Sequence, residues 1–207
     1  MQPVKSASDA KYGVVILAAG ASTRMGTPKQ LLDYQGQPLL RHAAEVALAT
    51  SCQRVIVVLG CRSQQLREAL RGLPVTIVEN PDWEGGMGTS IRAGVAIAEQ
   101  EKLDGVILGL ADQPLITPQI LDTLIQTHVA SGHAIVTSQY AGTVGVPVFF
   151  SREYFPHLLG LEPSQGCKGV ILKHTQHAMR LDCPEAEMDV DTPEDYSRVQ
   201  SATLVVD

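Results

Sequence analysis

Residues 14–29 read Val14-Val15-Ile16-Leu17-Ala18-Ala19-Gly20-Ala21-Ser22-Thr23-Arg24-Met25-Gly26-Thr27-Pro28-Lys29. The apolar, β-branched start of this stretch predicts a parallel strand at 14–18 that is buried on both faces. The loop that follows consists of small residues, in which Gly20 and Gly26 permit positive φ and the main chain is open to a ligand. Arg24 and Lys29 add positive charge. The stretch therefore predicts a strand that ends in a backbone cradle for an anion.

Further strands and helices alternate after this loop. Strands are predicted at 54–59, 75–78, 105–110 and 133–138, and helices at 37–50, 63–71, 90–101 and 118–130. This alternation predicts a three-layer α/β fold with a mainly parallel, doubly wound, Rossmann-like sheet. The later chain is predicted to hold a hairpin turn at 140–145, a strand at 146–150, a helix at 153–159, a loop at 166–169 with a helix to 176, a strand end at 188–191 and a helix at 193–201.

Candidate functional residues follow the predicted strands. Ligands bind such sheets at the carboxyl ends of the strands, where Gly20, Gly60, Asn80 and Asp112 lie. Asp112-Gln113-Pro114 ends one strand, and Gly85-Gly86-Met87-Gly88-Thr89-Ser90 precedes a helix. We therefore expect these residues to meet at one edge of the sheet.

The composition limits the function classes. The 207 residues suit one domain, and a formal charge of -6 with a pI near 5.5 argues against nucleic acid as a partner. The four cysteines form no Cys-x-x-Cys pair, which favours reduced thiols over a zinc or redox centre. Residues 1–11 are polar, and no apolar run reaches the roughly 20 residues of a membrane span. We expect a cytoplasmic protein with no membrane partner.

The glycine loop differs from two well-known phosphate-binding motifs. A Walker A loop needs Lys directly after its last glycine, but Thr27 follows Gly26 here. The dinucleotide fingerprint needs a second glycine where this chain has Ser22. The loop therefore disfavours a hydride-transferring dehydrogenase.

The order of the motifs resembles one group of enzymes. Leu17-Ala18-Ala19-Gly20 with Ser22, Arg24-Met25-Gly26 and Lys29 resembles the signature of nucleotidyltransferases with a glycosyltransferase-A-like fold. Three later stretches narrow the resemblance to the molybdenum cofactor cytidylyltransferases, which are related to the molybdopterin guanylyltransferases. These stretches are Asn80-Pro81 with Gly86-Met87-Gly88-Thr89-Ser90-Ile91, Asp112-Gln113-Pro114, and Asp189-Val190-Asp191-Thr192-Pro193-Glu194-Asp195.

The resemblance implies transfer of CMP from CTP to the phosphate of molybdopterin, with release of pyrophosphate. Charge builds on phosphate oxygens in such a reaction, so the protein contributes mainly positioning and charge stabilisation. Arg24, Lys29 and Asp112 are the expected catalytic residues. The implied nucleotide contacts are Leu17, Ala18, Ala19, Gly20, Ser22, Arg24, Lys29, Gly86, Gly88, Thr89 and Ser90. In this group Ala-Ala-Gly accompanies cytidylyl transfer, and the methyl of Ala19 would crowd a purine, which favours CTP over GTP.

Three aspartates are the implied ligands of Mg²⁺, which prefers carboxylate and phosphate oxygens. Asp112 is the first. Asp189 and Asp191 would point to opposite faces of an extended segment, so only one of them can face the metal directly. The resemblance favours Asp191 as the second ligand, with Asp189 close behind. Each position has a simpler interpretation: Asp112 as a turn former, and Asp191 as the start of a helix. The loop at 85–90 also has a simpler interpretation, as the start of a helix that Thr89 or Ser90 caps.

The chain is predicted to form one nucleotidyltransferase domain over 1–207. Its nucleotide-binding half spans about 12–138, and its acceptor-binding half spans about 139–201.

The acceptor-binding half departs from the family pattern. Gly145-Val146-Pro147 stands where the family has Gly-His-Pro, and Gly166-Cys167-Lys168-Gly169-Val170-Ile171 where it has Gly-Asp-x-Gly-Ala-Arg. Lys168 is the candidate for an acceptor phosphate, or else a solvated surface lysine. These departures leave the acceptor open.

Two alternative hypotheses therefore stand beside CMP transfer to molybdopterin. Thr27-Pro28-Lys29-Gln30 also resembles methylerythritol-phosphate cytidylyltransferases, which would change the acceptor, although Asp112-Gln113-Pro114 departs from their pattern. The other alternative is a non-catalytic nucleotide-binding or cofactor-delivery protein. Cofactor delivery would imply a molybdoenzyme or its chaperone as a protein partner.

Overall fold

A seven-stranded sheet forms the centre of the structure, a computed structural model that describes residues 10–203. The strands, with the two-stranded ribbon β2–β3, are β1 (Tyr12–Ala18), β2 (Asp33–Tyr34), β3 (Gln37–Pro38), β4 (Arg54–Leu59), β5 (Thr76–Glu79), β6 (Gly105–Leu110), β7 (Ile135–Tyr140), β8 (Thr143–Ser151) and β9 (Ala178–Asp182). Their order in the sheet is β5-β4-β1-β6-β8-β7-β9, and only β8 runs antiparallel to its neighbours among these seven strands. The predicted mainly parallel sheet is confirmed.

Helices cover both faces of the sheet. They are α1 (Leu39–Leu48), α2 (Ser63–Ala69), α3 (Met87–Gln100), α4 (Pro118–Ser131), α5 (Phe155–Leu159), α6 (Lys168–Lys173) and α7 (Pro193–Thr203). Successive residues of β1 point to opposite faces, so Val15 packs in the apolar core with α3 and α5, while Ile16 packs in the core with α1, α2 and α4. This alternation produces the three layers that the sequence predicts. None of the described helices is both long enough and apolar enough to span a membrane.

The predicted elements agree best with the observed ones where the chain is buried. The predicted strands at 54–59 and 105–110 have the bounds of β4 and β6, and Thr117 caps α4 by accepting a hydrogen bond from the Ile120 amide at 3.3 Å. The predicted strand end at 188–191 is wrong, because this segment is irregular and the last strand is β9 instead. The half-exposed pattern of β9 has no apolar run that would have indicated a strand.

The carboxyl ends of the central strands bring the candidate residues together. Ala19 and Gly20 follow β1, Gly60 follows β4, and Asp112 lies two residues beyond β6. Because β4, β1 and β6 are neighbours and parallel, these residues meet at one edge of the sheet.

Candidate active site

A cavity of about 480 Å³ opens at this edge of the sheet. Its volume is in the range of small-molecule sites. The lining residues are Leu17, Ala18, Ala19, Gly20, Ala21, Arg24, Lys29, Gln30, Trp83, Glu84, Gly86, Met87, Ser90, Leu110, Ala111, Asp112, Asp189 and Asp191. The structure thus brings most of the sequence-predicted site residues into one cavity; Ser22, Gly88, Thr89 and Lys168 are not part of its wall.

The loop after β1 is held from behind by Gln30. This side chain is 3% exposed, and its amide nitrogen donates to the carbonyls of Ala18 (3.3 Å) and Gly20 (2.9 Å). The Ser22 hydroxyl donates to Gln30 Oε1 at 3.1 Å and accepts from the Lys29 amide at 3.1 Å. Ser22 therefore shapes the loop rather than the cavity wall.

These bonds leave the amides of the loop available to a ligand. The N–H groups of residues 20–24 donate no hydrogen bond to any residue within 10–203. Positive φ occurs at Ser22 (56°) and Gly26 (70°), and not at Gly20. Free amides beside a cation are the arrangement expected of an anion cradle, so the binding of an anion here stays a prediction.

The carboxylates come from two distant parts of the chain. Asp112 is 8% exposed, and its carbonyl accepts from the Val190 amide at 2.9 Å. The Gln113 side chain donates to the Ala186 carbonyl at 2.9 Å. These bonds hold the irregular segment against the edge of the sheet, so that Asp189 and Asp191 both line the cavity. The expected extended geometry, which would direct the two side chains to opposite faces, is wrong, because residues 188–191 are irregular. Which of the two aspartates faces a metal stays a prediction.

Lys29 lies between the acidic residues. Its ammonium group forms ion pairs with Asp112 and with Asp191 Oδ1, the second at 2.6 Å. Arg24 pairs with the other oxygen of Asp191 at 3.0 Å. Burial lowers the pKa of Lys29, but the negative charges of Asp112 and Asp191 outweigh this effect and raise it. Hydrogen bonding from Lys29 lowers the pKa of Asp191, so both groups are charged at neutral pH.

Asp189 differs electrostatically from Asp191. Burial, together with the nearby charge of Asp112, raises the pKa of Asp189 from 3.8 to about 6. One oxygen of Asp189 and Oδ1 of Asp112 are buried without a hydrogen-bond partner. Such oxygens disfavour an empty site and suit a cation.

A divalent cation therefore fits this site, with a restriction. No three His, Cys, Asp or Glu side chains in residues 10–203 form a group that could hold a metal ion. Mg²⁺ is commonly bound by one or two carboxylates, completed by substrate phosphates and water. The carboxylates here match that pattern and not a metal cage made of protein alone.

The three glycines at 85–88 have a packing reason. A Cβ on Gly88 would lie 2.2 Å from the Glu162 carbonyl oxygen, and one on Gly86 would lie 2.7 Å from that of Pro163. The Gly88 amide also donates to the Pro163 carbonyl at 2.9 Å. The close approach that the sequence suggests is thus made to residues 162–163, while Gly86 also lines the cavity.

Thr89 and Ser90 do not cap a helix, because α3 already begins at Met87. The buried Asn80 amide donates to both hydroxyls, at 2.8 Å and 3.0 Å. Ser90 lines the cavity, and Thr89 donates to the Gly86 carbonyl at 2.7 Å. This network fixes the start of α3 beside the cavity.

Sequence reasoning missed Gln30 and Trp83 as site residues. A glutamine directly after Lys29 gave no signal of its burial behind the loop. The chain's one tryptophan, between Asn80-Pro81-Asp82 and the glycines at 85–88, could have signalled a ligand contact. Lys168, by contrast, lies away from the cavity, exposed, with its ammonium 2.5 Å from the Thr143 hydroxyl. Its role in acceptor binding stays a prediction.

Comparison with known proteins agrees with this geometry. The model of the MobA-like NTP transferase domain matches residues 14–178. The chain is 39% identical over 115 residues to nicotine blue oxidoreductase of Paenarthrobacter nicotinovorans, covering 55% of each protein. It is 29% identical to purine catabolism protein PucB of Bacillus subtilis, over 91% of this chain and 95% of that protein. It is 26% identical to molybdenum cofactor cytidylyltransferase of Escherichia coli, over 88% and 92%.

Solved structures extend the comparison to the whole fold. Protein Rv0371c of Mycobacterium tuberculosis superposes with a TM-score of 0.80 at 31% identity, over 93% of this chain and 98% of that one. A structure of the same protein in complex with manganese gives a TM-score of 0.73 at 30% identity, over 93% and 100%. The family model covers well over half of the chain, so the chain belongs to the MobA-like NTP transferase domain family.

Proposed function

We propose that this member of the MobA-like NTP transferase family transfers CMP from CTP to the phosphate of molybdopterin. The observation that carries the proposal is the convergence of the open loop amides, Arg24, Lys29 and Asp112 in one cavity. An oxygen of the acceptor phosphate attacks the α-phosphorus of CTP, the bond from that phosphorus to the bridging oxygen breaks, and pyrophosphate leaves. The reaction needs orientation and charge stabilisation above all.

The cations of the site bind the triphosphate. The Lys29 ammonium has three N–H donors, and Asp112 and Asp191 engage two of them. The third is left for a phosphate oxygen, with the ammonium held in place by its two carboxylate partners. Arg24, whose side chain is 71% exposed, reaches over the cavity mouth and binds the outer phosphates as they become pyrophosphate.

Mg²⁺ is the proposed metal, and Asp112 with Asp191 or Asp189 would hold it. When bound, it neutralises charge on the phosphate oxygens. The buried, unpartnered oxygens of Asp112 and Asp189 support this assignment. The complex of Rv0371c with manganese is a further reason to test a divalent cation here.

Two observations support the choice of CTP and molybdopterin. Ala19 lines the cavity, and its methyl would crowd a purine more than a pyrimidine. The similarity to molybdenum cofactor cytidylyltransferase, at 26% identity over most of both chains, supports the acceptor. Hydride transfer with a dinucleotide is disfavoured, because Ser22 stands where a dinucleotide loop needs glycine.

Pyrophosphate release tests the proposal. The full chain is incubated with Mg²⁺ and either CTP or GTP, in the presence of molybdopterin, methylerythritol phosphate or no acceptor. We expect release that requires both CTP and molybdopterin. Turnover with methylerythritol phosphate alone would replace the acceptor, and nucleotide binding without release in any arm would favour the non-catalytic alternative and overturn the proposal.

A further inference from the structure

We propose that Trp83 is the platform on which the nucleobase stacks. The inference rests on the proposed function only in that a nucleotide occupies the cavity. The cavity wall combines charged groups with an apolar part, and the topology of the sheet separates the two. Asp112 follows β6 on one side of β1, whereas Trp83 lies against Gly60, which follows β4 on the other side.

The packing at Gly60 fixes the base of the tryptophan side chain. A Cβ placed on Gly60 would lie 2.6 Å from Trp83 Cβ, 2.7 Å from Trp83 Cγ and 2.8 Å from Ala19 Cβ. Trp83 and Ala19 therefore both lie against Gly60. Because Ala19 opens the phosphate loop, this arrangement places the tryptophan beside the loop, on the opposite side of β1 from Asp112.

The indole itself has no partner that would explain it. Trp83 is half-buried and lines the cavity. Within residues 10–203 its ring contacts no other aromatic ring, and its indole N–H donates no hydrogen bond. A large aromatic side chain normally gains its stabilisation from close packing of its faces. Here part of the indole is turned toward an open cavity.

The turn that carries Trp83 is rigid. Asn80 Oδ1 accepts from the Asp82 amide at 3.0 Å, while the Asn80 amide holds Thr89 and Ser90 on α3. The Asp82 carbonyl in turn accepts from the Gly85 amide at 2.9 Å. The tryptophan is thereby held between β5 and α3, so an incoming base meets a surface that is already formed.

A nucleobase is the ligand part that fits this position. When the triphosphate lies on Arg24, Lys29 and the loop amides, the base extends to the other side of β1, toward Trp83. Stacking on an aromatic ring is available to every base, so Trp83 supplies affinity, while the methyl of Ala19 beside it limits ring size. Trp83 thus contributes affinity for the base, and Ala19 contributes selectivity for a pyrimidine.

The chain contains one tryptophan, so its fluorescence reports on this position alone. The full chain with Mg²⁺ is titrated with CTP and, separately, with inorganic tripolyphosphate, and acrylamide quenching is measured at saturation. We expect CTP to change the emission and to protect the indole from acrylamide at least about threefold, and tripolyphosphate to do neither. Equal effects of both ligands, or no effect of CTP while calorimetry shows binding, would overturn the inference.

Substitutions separate stacking from packing. Trp83→Phe keeps an aromatic face, whereas Trp83→Leu keeps apolar bulk over Gly60 without one. We expect the dissociation constant of CTP to rise at least about tenfold in Trp83→Leu and less than about threefold in Trp83→Phe, with tripolyphosphate binding unchanged. Equal affinities of the two variants for CTP would contradict stacking. Thermal unfolding confirms that both fold.

These measurements are independent of turnover. A chain that binds CTP on Trp83 but releases no pyrophosphate would refute the proposed reaction and leave the nucleobase site standing. Conversely, pyrophosphate release with an unchanged KM for CTP in Trp83→Leu would support the reaction and refute the platform.

Discussion

Two walls of the cavity are held in place in different ways. Residues 19–30 are fixed by partners near in sequence: Gln30 donates to carbonyls 12 and 10 residues earlier, and Ser22 accepts from an amide seven residues later. Residues 184–191 are fixed by partners far away, since Gln113 lies 73 residues before Ala186. The shape of the first wall is held mainly by hydrogen bonds within residues 18–30, whereas the second wall is held to residues that only the folded sheet brings close.

Because the two walls are held differently, the positive and the negative groups of the site depend on different contacts. The loop presents free amides and cations, and its shape survives as long as Gln30 and Ser22 stay in place. The aspartates of the second wall depend on the hydrogen bond that the Asp112 carbonyl accepts from Val190 and on the one that Gln113 donates to Ala186. The negative side of the site therefore depends on the assembled edge of the sheet. Substitutions at the two walls and at their junction should therefore have separable effects.

Asp112→Asn removes the charge at the junction of the two walls. We expect kcat/KM for pyrophosphate release to fall at least about 100-fold, because Lys29 and the proposed metal both lose a partner. Glu99→Gln, which removes an equal charge from the exposed end of α3, serves as the control. Similar activity of both variants would remove Asp112 from the proposed mechanism.

Gln30→Ala weakens the locally built wall. The carbonyls of Ala18 and Gly20 lose their donor, at a cost of about 2 kcal/mol in the free energy of unfolding. We expect the KM for CTP to rise about 30-fold, because the loop no longer holds its amides toward the cavity. Urea unfolding and steady-state kinetics measure both effects. A normal KM in a destabilised chain would show that the brace serves stability alone.

Gln113→Leu weakens the distant wall while leaving the loop intact. We expect about a tenfold loss of kcat/KM, because the segment that carries Asp189 and Asp191 is no longer fixed to the sheet edge. Hydrogen exchange should accelerate at residues 184–191 and stay unchanged at 19–30. Faster exchange in both segments would mean that the two walls are not independent.

Asp189→Asn should stabilise the protein slightly. The raised pKa of Asp189 means that the folded state binds the proton more tightly than the unfolded state, so stability falls as pH rises from about 4 to about 6. Above pH 6, removing this charge should add about 1 kcal/mol after allowance for its partial exposure. Unfolding at pH 7.5 and pH 4 tests this; an equal gain at both pH values would exclude the charge as the cause.

Much of the molecule follows from its sequence. The buried strands β1, β4 and β6 are continuous apolar runs, and the small residues after β1 with Arg24 and Lys29 predict an anion site at that edge. The three central strands could be placed because parallel strands buried on both faces carry a strong local signal. Asp112 was predictable for the same reason, since it follows such a strand.

The rest was decided by contacts that no local pattern encodes. Asp189 and Asp191 share one cavity because Val190 and Ala186 bond to Asp112 and Gln113, and not because of their spacing. Lys29 pairs with the carboxylates of Asp112 and Asp191, which lie 83 and 162 residues later in the chain. The glycines before α3 make room for residues 162–163, and Trp83 reaches the cavity by packing on Gly60. Local periodicity and small residues were sufficient to predict the central strands and an anion-binding loop after β1. The pairs of side chains that face one another across the cavity could not be predicted, because they depend on bonds between residues that folding brings together.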